Sequence, residues 1–138
     1  MVKAKRIKLQ TKGRDDVVDV TGEVEDFVSE SKIKNGMANI FISGSTGSIT
    51  TIEYEPGLVQ DIKTIDEKLI PSSVSYAHDQ TWGDANGYAH LRASIIGPSL
   101  TVPIVDGELT LGTWQQIIVI DHDNRPRSRE VVIQVMGE

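Results

Sequence analysis

The stretch LTVPIVDGELTLGTWQQIIVIDH, residues 100–122, decides the fold of this chain. Aliphatic and β-branched residues fill most of it, and such residues are typical of strands. The Asp106-Gly107 pair between two apolar runs is a strong signal for a tight hairpin turn. The second half therefore predicts a series of strands joined by short turns, at residues 100–105, 108–114, 115–122 and 129–136.

Two helical patterns lie in the first half of the chain. After Thr21, a residue type that favours helix N-caps, three apolar residues recur at i, i+3 and i+4: Val24, Phe27 and Val28. The second pattern runs from Pro56 to Pro71, with apolar residues at helical spacing at Leu58, Ile62, Ile65 and Leu69. Shorter strands are predicted at residues 6–10, 37–43 and 49–53. Two helices followed by a run of hairpins predict the α+β class, with a mainly antiparallel sheet or sandwich.

Two of the predicted strands lack a clean alternation of apolar and polar residues, at residues 117–120 and 131–133. A strand that is apolar on both sides is usually covered on both sides. We expect the helices to cover one face, and a second sheet or a neighbouring subunit to cover the other.

Length and composition exclude several classes of protein. With 138 residues, the chain predicts one domain spanning residues 1–138. The absence of cysteine excludes disulfides, a thiol nucleophile and any Cys-ligated metal site. The longest aliphatic run, residues 117–120, is far shorter than a membrane span, and residues 1–14 contain no apolar leader segment. We therefore expect a cytoplasmic protein with no membrane partner.

The net charge is −6, yet residues 1–14 carry six basic residues and no acidic one. A basic arm can contact nucleic acid, but the chain as a whole is acidic and has only two Trp, three Tyr and two Phe. We expect no nucleic-acid partner and interpret the basic segment as a solvated edge strand.

Histidines supply the first candidate site. Residues 88–96 are predicted to form a strand with His90 on its polar face, and residues 72–87 a long loop that contains His78 and Asp84. Two imidazoles and a carboxylate with an open position suit a divalent metal; alternatively, one histidine serves as a general base. The plainer interpretation is that both histidines make structural hydrogen bonds. The third histidine, His122, follows a predicted strand beside an acidic turn and is expected to be exposed.

Two further segments are candidates for anion binding. The loop Gly44-Ser45-Thr46-Gly47-Ser48 brings small and hydroxyl residues together, although it lacks the P-loop pattern. Arg127 and Arg129 alternate after the final turn and suit a phosphate or carboxylate; alternatively, they pair with Asp121 and Asp123 across the hairpin. Glu53 either supplies a carboxylate to a site or belongs to the start of the following helix.

A longer motif in the second half resembles the signature of a known family. Residues 97–115, GPSLTVPIVDGELTLGTWQ, are similar to the YjbQ-like family, and the agreement extends to residues 50–61, 76–78, 86–90, 127–129 and 137–138. That family has been assigned a secondary thiamine-phosphate synthase activity, which joins a pyrimidine diphosphate to a thiazole phosphate and releases pyrophosphate.

The resemblance implies a small α+β domain that forms a homotrimer, with sites between subunits. It implies a divalent metal, Zn or Mg, held by His78, His90 and Asp84, and a phosphorylated small molecule as ligand. The implied catalytic residues are His78, His90, Glu53 and Gln115, and the implied phosphate-binding residues are Gly44, Ser45, Thr46, Asn86, Arg127 and Arg129. The chain departs from the family in one place, because relatives carry a histidine in the loop where this chain has Gly44-Ser45-Thr46. A three-histidine site cannot be assembled here. The alternative function is a non-catalytic, metabolite-binding homotrimer.

Overall fold

Two antiparallel sheets packed face to face form the centre of the fold. A computed structural model describes all residues from 1 to 138. The strands are β1 (Val2–Thr11), β2 (Asp16–Asp19), β3 (Gly36–Ile42), β4 (Gly47–Ile52), β5 (Ser99–Val105), β6 (Glu108–Leu109), β7 (Gln116–Asp121) and β8 (Arg127–Gly137). The helices are α1 (Thr21–Ser31), α2 (Pro56–Leu69), α3 (Ala77–Trp82) and α4 (Gly87–Ile96). The predicted α+β class is confirmed.

The larger sheet has the strand order β1-β8-β3-β5-β6, and the smaller has the order β2-β7-β4. Every neighbouring pair is antiparallel. The predicted hairpin is present, because β5 pairs with β6 across Asp106 and Gly107, both with positive φ. The basic N-terminal strand lies at an edge of the larger sheet, as expected.

The main core lies between the two sheets and is closed at one side by α1. It contains inward-facing residues of both sheets, such as Ile40 and Ile133 from the larger and Ile117 from the smaller. The apolar stripe of α1, Val24, Phe27 and Val28, packs into the same core. Burying aliphatic side chains of this size contributes about 1.5–3 kcal/mol each, so this layer holds the strands in register.

The outer face of β7 explains why its sequence is apolar on both sides. Ile118 and Ile120 form a second, smaller core with Val17 of β2. Side chains of α2 and α4, among them Ile62 and Ile96, pack against this core. The prediction that both faces of residues 117–120 are covered is therefore correct. For residues 131–133 one face is uncovered within the chain, because Val132 faces outward and is only partly buried, so cover by a neighbouring subunit stays a prediction.

Residues 88–96 form helix α4 rather than the predicted strand. The alternating pattern was misleading, since Tyr88, Ala89, Arg92 and Ala93, at helical spacing, are the buried residues. Small alanines let the helix pack closely onto β4. Because successive residues of a helix are 100° apart, His90 and Arg92 face different sides of α4 rather than one shared face.

Three smaller expectations also need correction. The predicted loop 72–87 contains the short helix α3. The strand predicted at residues 108–114 ends at Leu109, because the Gln115 side chain accepts a hydrogen bond from the Gly112 backbone nitrogen at 2.8 Å and stabilises a local turn. Thr21 begins α1 but does not cap it, since its hydroxyl accepts a hydrogen bond from the backbone nitrogen of Ile117.

The outer face of the larger sheet has no helix over it. Its exposed apolar side chains include Met37 and Phe41 of β3 and Met136 of β8. Among the helices, none combines the length and the apolar character that crossing a membrane requires.

Candidate functional site

A polar pocket of about 300 Å³ lies where the β3–β4 loop, the segment between α3 and α4, and the turn between β7 and β8 meet. None of the residues that line it is apolar. They are Gly44, Ser45, Thr46, Asp84, Asn86, His90, Asp123, Arg127 and Arg129. All of them except Asp123 are residues that the sequence singles out, so the fold brings the histidine, glycine-loop and arginine candidates to one place.

Arg129 lies at the back of this pocket and is only 7% exposed. Its Nε and Nη2 atoms donate to the carboxylate of Asp121 at 2.7 and 2.8 Å, and Nη2 also donates to the Thr46 hydroxyl. Burial would raise the pKa of Asp121, but hydrogen bonds from Arg129, Thr11 and the Asp123 backbone nitrogen together hold that pKa below its usual value. The arginine is therefore a fixed positive charge held by a bidentate ion pair.

Arg127 is the more accessible of the two arginines. Its Nη2 atom lies 2.8 Å from Asp123, whose carboxylate also accepts hydrogen bonds from the Asn124 backbone nitrogen, the Thr46 hydroxyl and the Asn86 amide. Burial opposes ionisation of Asp123, yet these hydrogen bonds hold its pKa below the ordinary value. The pairing of both arginines with aspartates across the hairpin, which the sequence left as an alternative, is thus present, and both arginines also line the pocket.

Position 44 requires glycine because the backbone there lies close to Arg129. Gly44 has a φ of +114°, and a Cβ atom there would lie 2.6 Å from Arg129 Nη1. That Nη1 atom makes no hydrogen bond within the chain, although the other two guanidinium nitrogens do. One face of the buried guanidinium is therefore left without a protein partner next to the glycine loop.

His78 and His90 come together from α3 and α4, with ring centroids 4.3 Å apart. Burial, and then the nearby His78, lower the pKa of His90, so its imidazole is neutral at pH 7. The Nδ1 atom of His78 lies 3.8 Å from Asp84 and 3.9 Å from Asp79. That nitrogen is buried and has no hydrogen-bond partner.

The residue types at this pair are ones that bind divalent ions, although the ligand atoms of His78, His90 and Asp84 do not all lie within 4.8 Å of one another. An orphaned imidazole nitrogen beside a second, neutral imidazole and a carboxylate is the type of donor set that Zn²⁺ accepts. Asp79 is already engaged, because the backbone nitrogens of Tyr76 and Gly87 donate to it and lower its pKa. Asp84 is more exposed and is the carboxylate left for a ligand role.

Glu53 and Gln115 are not brought to this pocket within one chain. Both are exposed and lie beyond the ends of β4 and β7 that are remote from the pocket. The length of β7 alone separates Gln115 from Asp123 by roughly 20 Å. Gln115 instead bonds Gly112 and lies 3.5 Å from the Thr51 hydroxyl.

His122 is fully buried, which corrects the expectation that it is exposed. Its Nδ1 atom lies 2.5 Å from Asp15 Oδ1, and its Nε2 atom lies 2.8 Å from the hydroxyl of Ser48 on β4. Asp66 of α2 lies 3.8 Å from the same Nδ1 atom. Asp15, Asp66 and His122 form the one set of three or more His, Asp or Glu residues whose ligand atoms all lie within 4.8 Å of one another.

The two carboxyl groups of this buried cluster differ in protonation. Burial and the neighbouring Asp15 raise the pKa of Asp66 to about 8. Burial also acts against Asp15, but hydrogen bonding with His122 and the charge of Arg92 leave its pKa below the usual value. Asp66 is therefore the carboxyl that keeps a proton at neutral pH.

The sequence gives only weak signals for this second cluster. Asp15 and Asp66 stand in acid-rich segments where most carboxylates are solvated, and β2, which places Asp15, was not predicted. The one usable signal is that His122 lies only two residues after the apolar run at residues 117–120, so burial can persist beyond that run.

Comparisons with known proteins agree with the fold. A family model described as "UPF0047 protein YjbQ-like" matches residues 5–138. A UPF0047 protein of Methanothermobacter thermautotrophicus is 36% identical over 137 residues, covering 99% of this chain and 94% of the relative. A UPF0047 protein of Archaeoglobus fulgidus is 35% identical, covering 94% of this chain and 98% of the relative.

Solved structures are similar over the same length. A crystal structure from Sulfolobus solfataricus P2, described as a YbjQ-like protein of unknown function, has a TM-score of 0.90 at 33% identity and covers 100% of both chains. A hypothetical protein from Aeropyrum pernix K1 has a TM-score of 0.91 at 34% identity, with 99% of each chain covered.

Proposed function

This chain belongs to the YjbQ-like UPF0047 family, and from that premise we propose that its polar pocket binds the phosphate group of a small phosphorylated metabolite. The observation that carries the proposal is the free Nη1 side of the buried Arg129, held by Asp121 and lying against Gly44. A preorganised guanidinium beside small residues is the arrangement that binds tetrahedral oxyanions. Arg127, half-exposed at the rim, supplies the second cation.

The charge of the pocket supports a divalent ion as part of the site. Its two arginines are offset by the lining carboxylates Asp84 and Asp123, and Asp121 adds a further negative charge behind them. A phosphate dianion entering this pocket alone would meet no excess of positive charge. A divalent ion held by His78, His90 and Asp84 supplies the missing charge.

The reaction implied by the family transfers a pyrimidinylmethyl group, that is, a pyrimidine ring together with its CH₂, from pyrophosphate to the nitrogen of a thiazole ring. The carbon–oxygen bond to pyrophosphate breaks as the carbon–nitrogen bond forms. Arg127 and Arg129 would bind the departing pyrophosphate, and the divalent ion would neutralise its charge. His90, neutral at pH 7, lines the pocket and is able to accept a proton there.

A homotrimer with its sites near subunit contacts is part of the same proposal. The uncovered face of the larger sheet carries Met37, Phe41 and Met136. Phe41 also borders a groove that shares Gly44 and Ser45 with the polar pocket. A copy seated on this face would therefore lie beside the glycine loop.

Calorimetric titration of inorganic phosphate in the presence of Mg²⁺ tests the proposal. We expect Arg127→Gln to weaken phosphate binding about 10-fold, since it removes a charge-assisted contact worth about 1.5 kcal/mol. Arg6→Gln is the matched control, because Arg6 is exposed and pairs only with Glu130 outside the pocket. Equal phosphate affinity in both variants would contradict the proposal.

Turnover distinguishes an enzyme from the non-catalytic alternative. Release of pyrophosphate from the pyrimidine diphosphate and the thiazole phosphate, lost in His90→Gln, supports transfer. Phosphate binding without any release of pyrophosphate supports the metabolite-binding role.

A further inference from the structure

A second group of metal-ligating side chains lies on the other side of α4 from the polar pocket. Asp15 comes from the turn before β2, Asp66 from α2 and His122 from the segment after β7. One ligand atom of each lies within 4.8 Å of those of the other two. We propose that these three side chains bind a divalent transition-metal ion, at a site separate from His78 and His90.

The spacing of the three ligand atoms is close to what an ion needs. Nitrogen and oxygen ligands lie about 2.0–2.2 Å from Zn²⁺, which places tetrahedral ligand atoms about 3.5 Å from one another. His122 Nδ1 lies 3.8 Å from Asp66 Oδ2 and 2.5 Å from Asp15 Oδ1. Side-chain movements of about 1 Å would bring the three ligand atoms to the spacing of a tetrahedral metal site. α2 packs against the smaller core through Val59 and Ile62, but none of its residues is fully buried, so a small movement of the Asp66 side chain can be accommodated.

Two buried oxygens in the cluster point to a missing partner. Apart from a proton that the two carboxyl groups can share, Oδ2 of Asp15 and Oδ2 of Asp66 have no hydrogen-bond partner, although the Asp15 side chain is only 2% exposed. Arg92 Nη1 lies 3.3 Å from Asp15 Oδ2, as an ion pair without hydrogen-bond geometry. Because buried oxygens without partners are costly, a ligand that both oxygens can bind would stabilise the cluster.

Carboxylates outnumber guanidinium groups within the cluster itself. Asp15 and Glu67 both lie within ion-pair distance of the single guanidinium of Arg92, and Asp66 lies beside Asp15. A dication would therefore be attracted to the carboxylates of Asp15 and Asp66.

Ser48 prepares His122 to act as a ligand. An imidazole bound through one nitrogen generally donates its other N–H to a neighbouring acceptor, which fixes the tautomer. The Ser48 hydroxyl lies 2.8 Å from Nε2 and is fully buried, so it can accept that hydrogen bond. A metal ion bound at Nδ1 would replace the hydrogen that this nitrogen shares with Asp15, and the Nδ1 lone pair would then face the ion between the two carboxylates.

A cavity of about 450 Å³ lies beside the site, and of the three proposed ligand residues only Asp15 lines it, together with Arg92. Arg14 and Lys63 also line this cavity, and neither has an ion-pair partner. An ion held by three protein ligands keeps a coordination position for water or an exogenous oxygen. A mixed imidazole and carboxylate donor set favours Zn²⁺ or Mn²⁺ over Ca²⁺.

Zn²⁺ titration with the full chain tests the site. In a His90→Gln background, which removes the histidine pair of the polar pocket, we expect one Zn²⁺ to bind per chain. Adding Asp66→Asn should weaken that binding at least 10-fold, in line with losses on removing metal-site groups. Adding Asp61→Asn instead, an exposed carboxylate on the same helix, should leave Zn²⁺ binding unchanged.

Thermal unfolding provides a second measurement. Zn²⁺ should raise the Tm of the His90→Gln and Asp61→Asn proteins and leave that of the Asp66→Asn protein unchanged; circular dichroism in chelator would show that all of them are folded. Equal Zn²⁺ affinity in the Asp66→Asn and Asp61→Asn proteins would overturn the proposal, as would the absence of bound Zn²⁺ in the His90→Gln background. Neither result bears on phosphate binding at the polar pocket.

Discussion

Gly44 is the residue where the backbone, rather than a side chain, shapes the polar pocket. Its φ of +114° disfavours other residues, and a Cβ atom would press on Arg129 Nη1. Arg129 cannot move aside easily, because Asp121 holds it from two atoms. We expect Gly44→Ala to cost about 1–3 kcal/mol of unfolding free energy and to weaken phosphate binding.

Gly22→Ala is the control for that prediction. No atom lies within 4 Å of the position of its added Cβ, and it lies in α1, where alanine is favoured over glycine. Urea unfolding should show Gly22→Ala to be at least as stable as the parent chain. A Gly44→Ala protein with unchanged unfolding free energy and unchanged phosphate binding would mean that Arg129 is not held in place by Asp121 as described.

Ser48 is the hydroxyl on which the buried His122 depends. Both side chains are fully buried and their polar atoms lie 2.8 Å apart. Ser48→Ala leaves Nε2 of His122 without a partner, so we expect a loss of about 1–3 kcal/mol in the free energy of unfolding. Ser73→Ala, at an exposed serine without hydrogen bonds, should change that energy little. Similar urea midpoints for the two variants would contradict the described hydrogen bond.

At the scale of elements, α2 carries a pH-dependent contribution to stability. Burial and the facing Asp15 raise the pKa of Asp66 from an ordinary value of 3.8 to about 8 in the folded chain. His122, Arg92 and Glu67 are the other charged or titratable groups around it. The folded state therefore holds a proton that the unfolded chain has released, and this stabilising contribution is lost as pH rises through about 8.

In chelator, the unfolding free energy of the wild type should fall between pH 7 and pH 9. The unfolding free energy of the Asp66→Asn protein should fall less over the same range, because the asparagine amide does not titrate. Asp61→Asn should follow the wild type. Parallel stability curves for all three proteins would show that the Asp66 proton is not held as described.

Helix α4 shows what the sequence could and could not predict. Residues 88–96 alternate in polarity, yet burial follows Tyr88, Ala89, Arg92 and Ala93. The alternation of apolar and polar residues did not determine the structure here. Packing did, because the small alanines allow a helix to lie on β4. For α2 and β7 the apolar pattern agrees with the structure: the predicted helix and the predicted strand are both confirmed.

For the candidate site, the sequence predicted the types of residue involved but not their arrangement in space. The types of residue at Gly44, Asn86 and Arg129 indicated anion chemistry, but their meeting in one pocket depends on how α4 and the β7–β8 turn are placed. His122 was missed because its burial comes from α2 and β2, which are distant in the sequence.

For the whole molecule, light scattering over a dilution series should give a mass of three times 15.2 kDa. Phe41→Asp, on the uncovered face of the larger sheet, should reduce that mass. Ile65→Asp, at an exposed position on α2, should not. A monomeric mass for the parent chain at all concentrations would rule out the proposed trimer.

Phosphate binding at the polar pocket is the central claim, and amide chemical-shift mapping tests it most directly. Inorganic phosphate titrated into labelled protein with Mg²⁺ should move the amide signals of Gly44, Ser45 and Thr46. The signals of Thr51 and Gln115, at the other end of the smaller sheet, should stay in place. Absence of any shift in the Gly44–Thr46 signals, or shifts confined to residues around Arg14 and Lys63, would contradict the account.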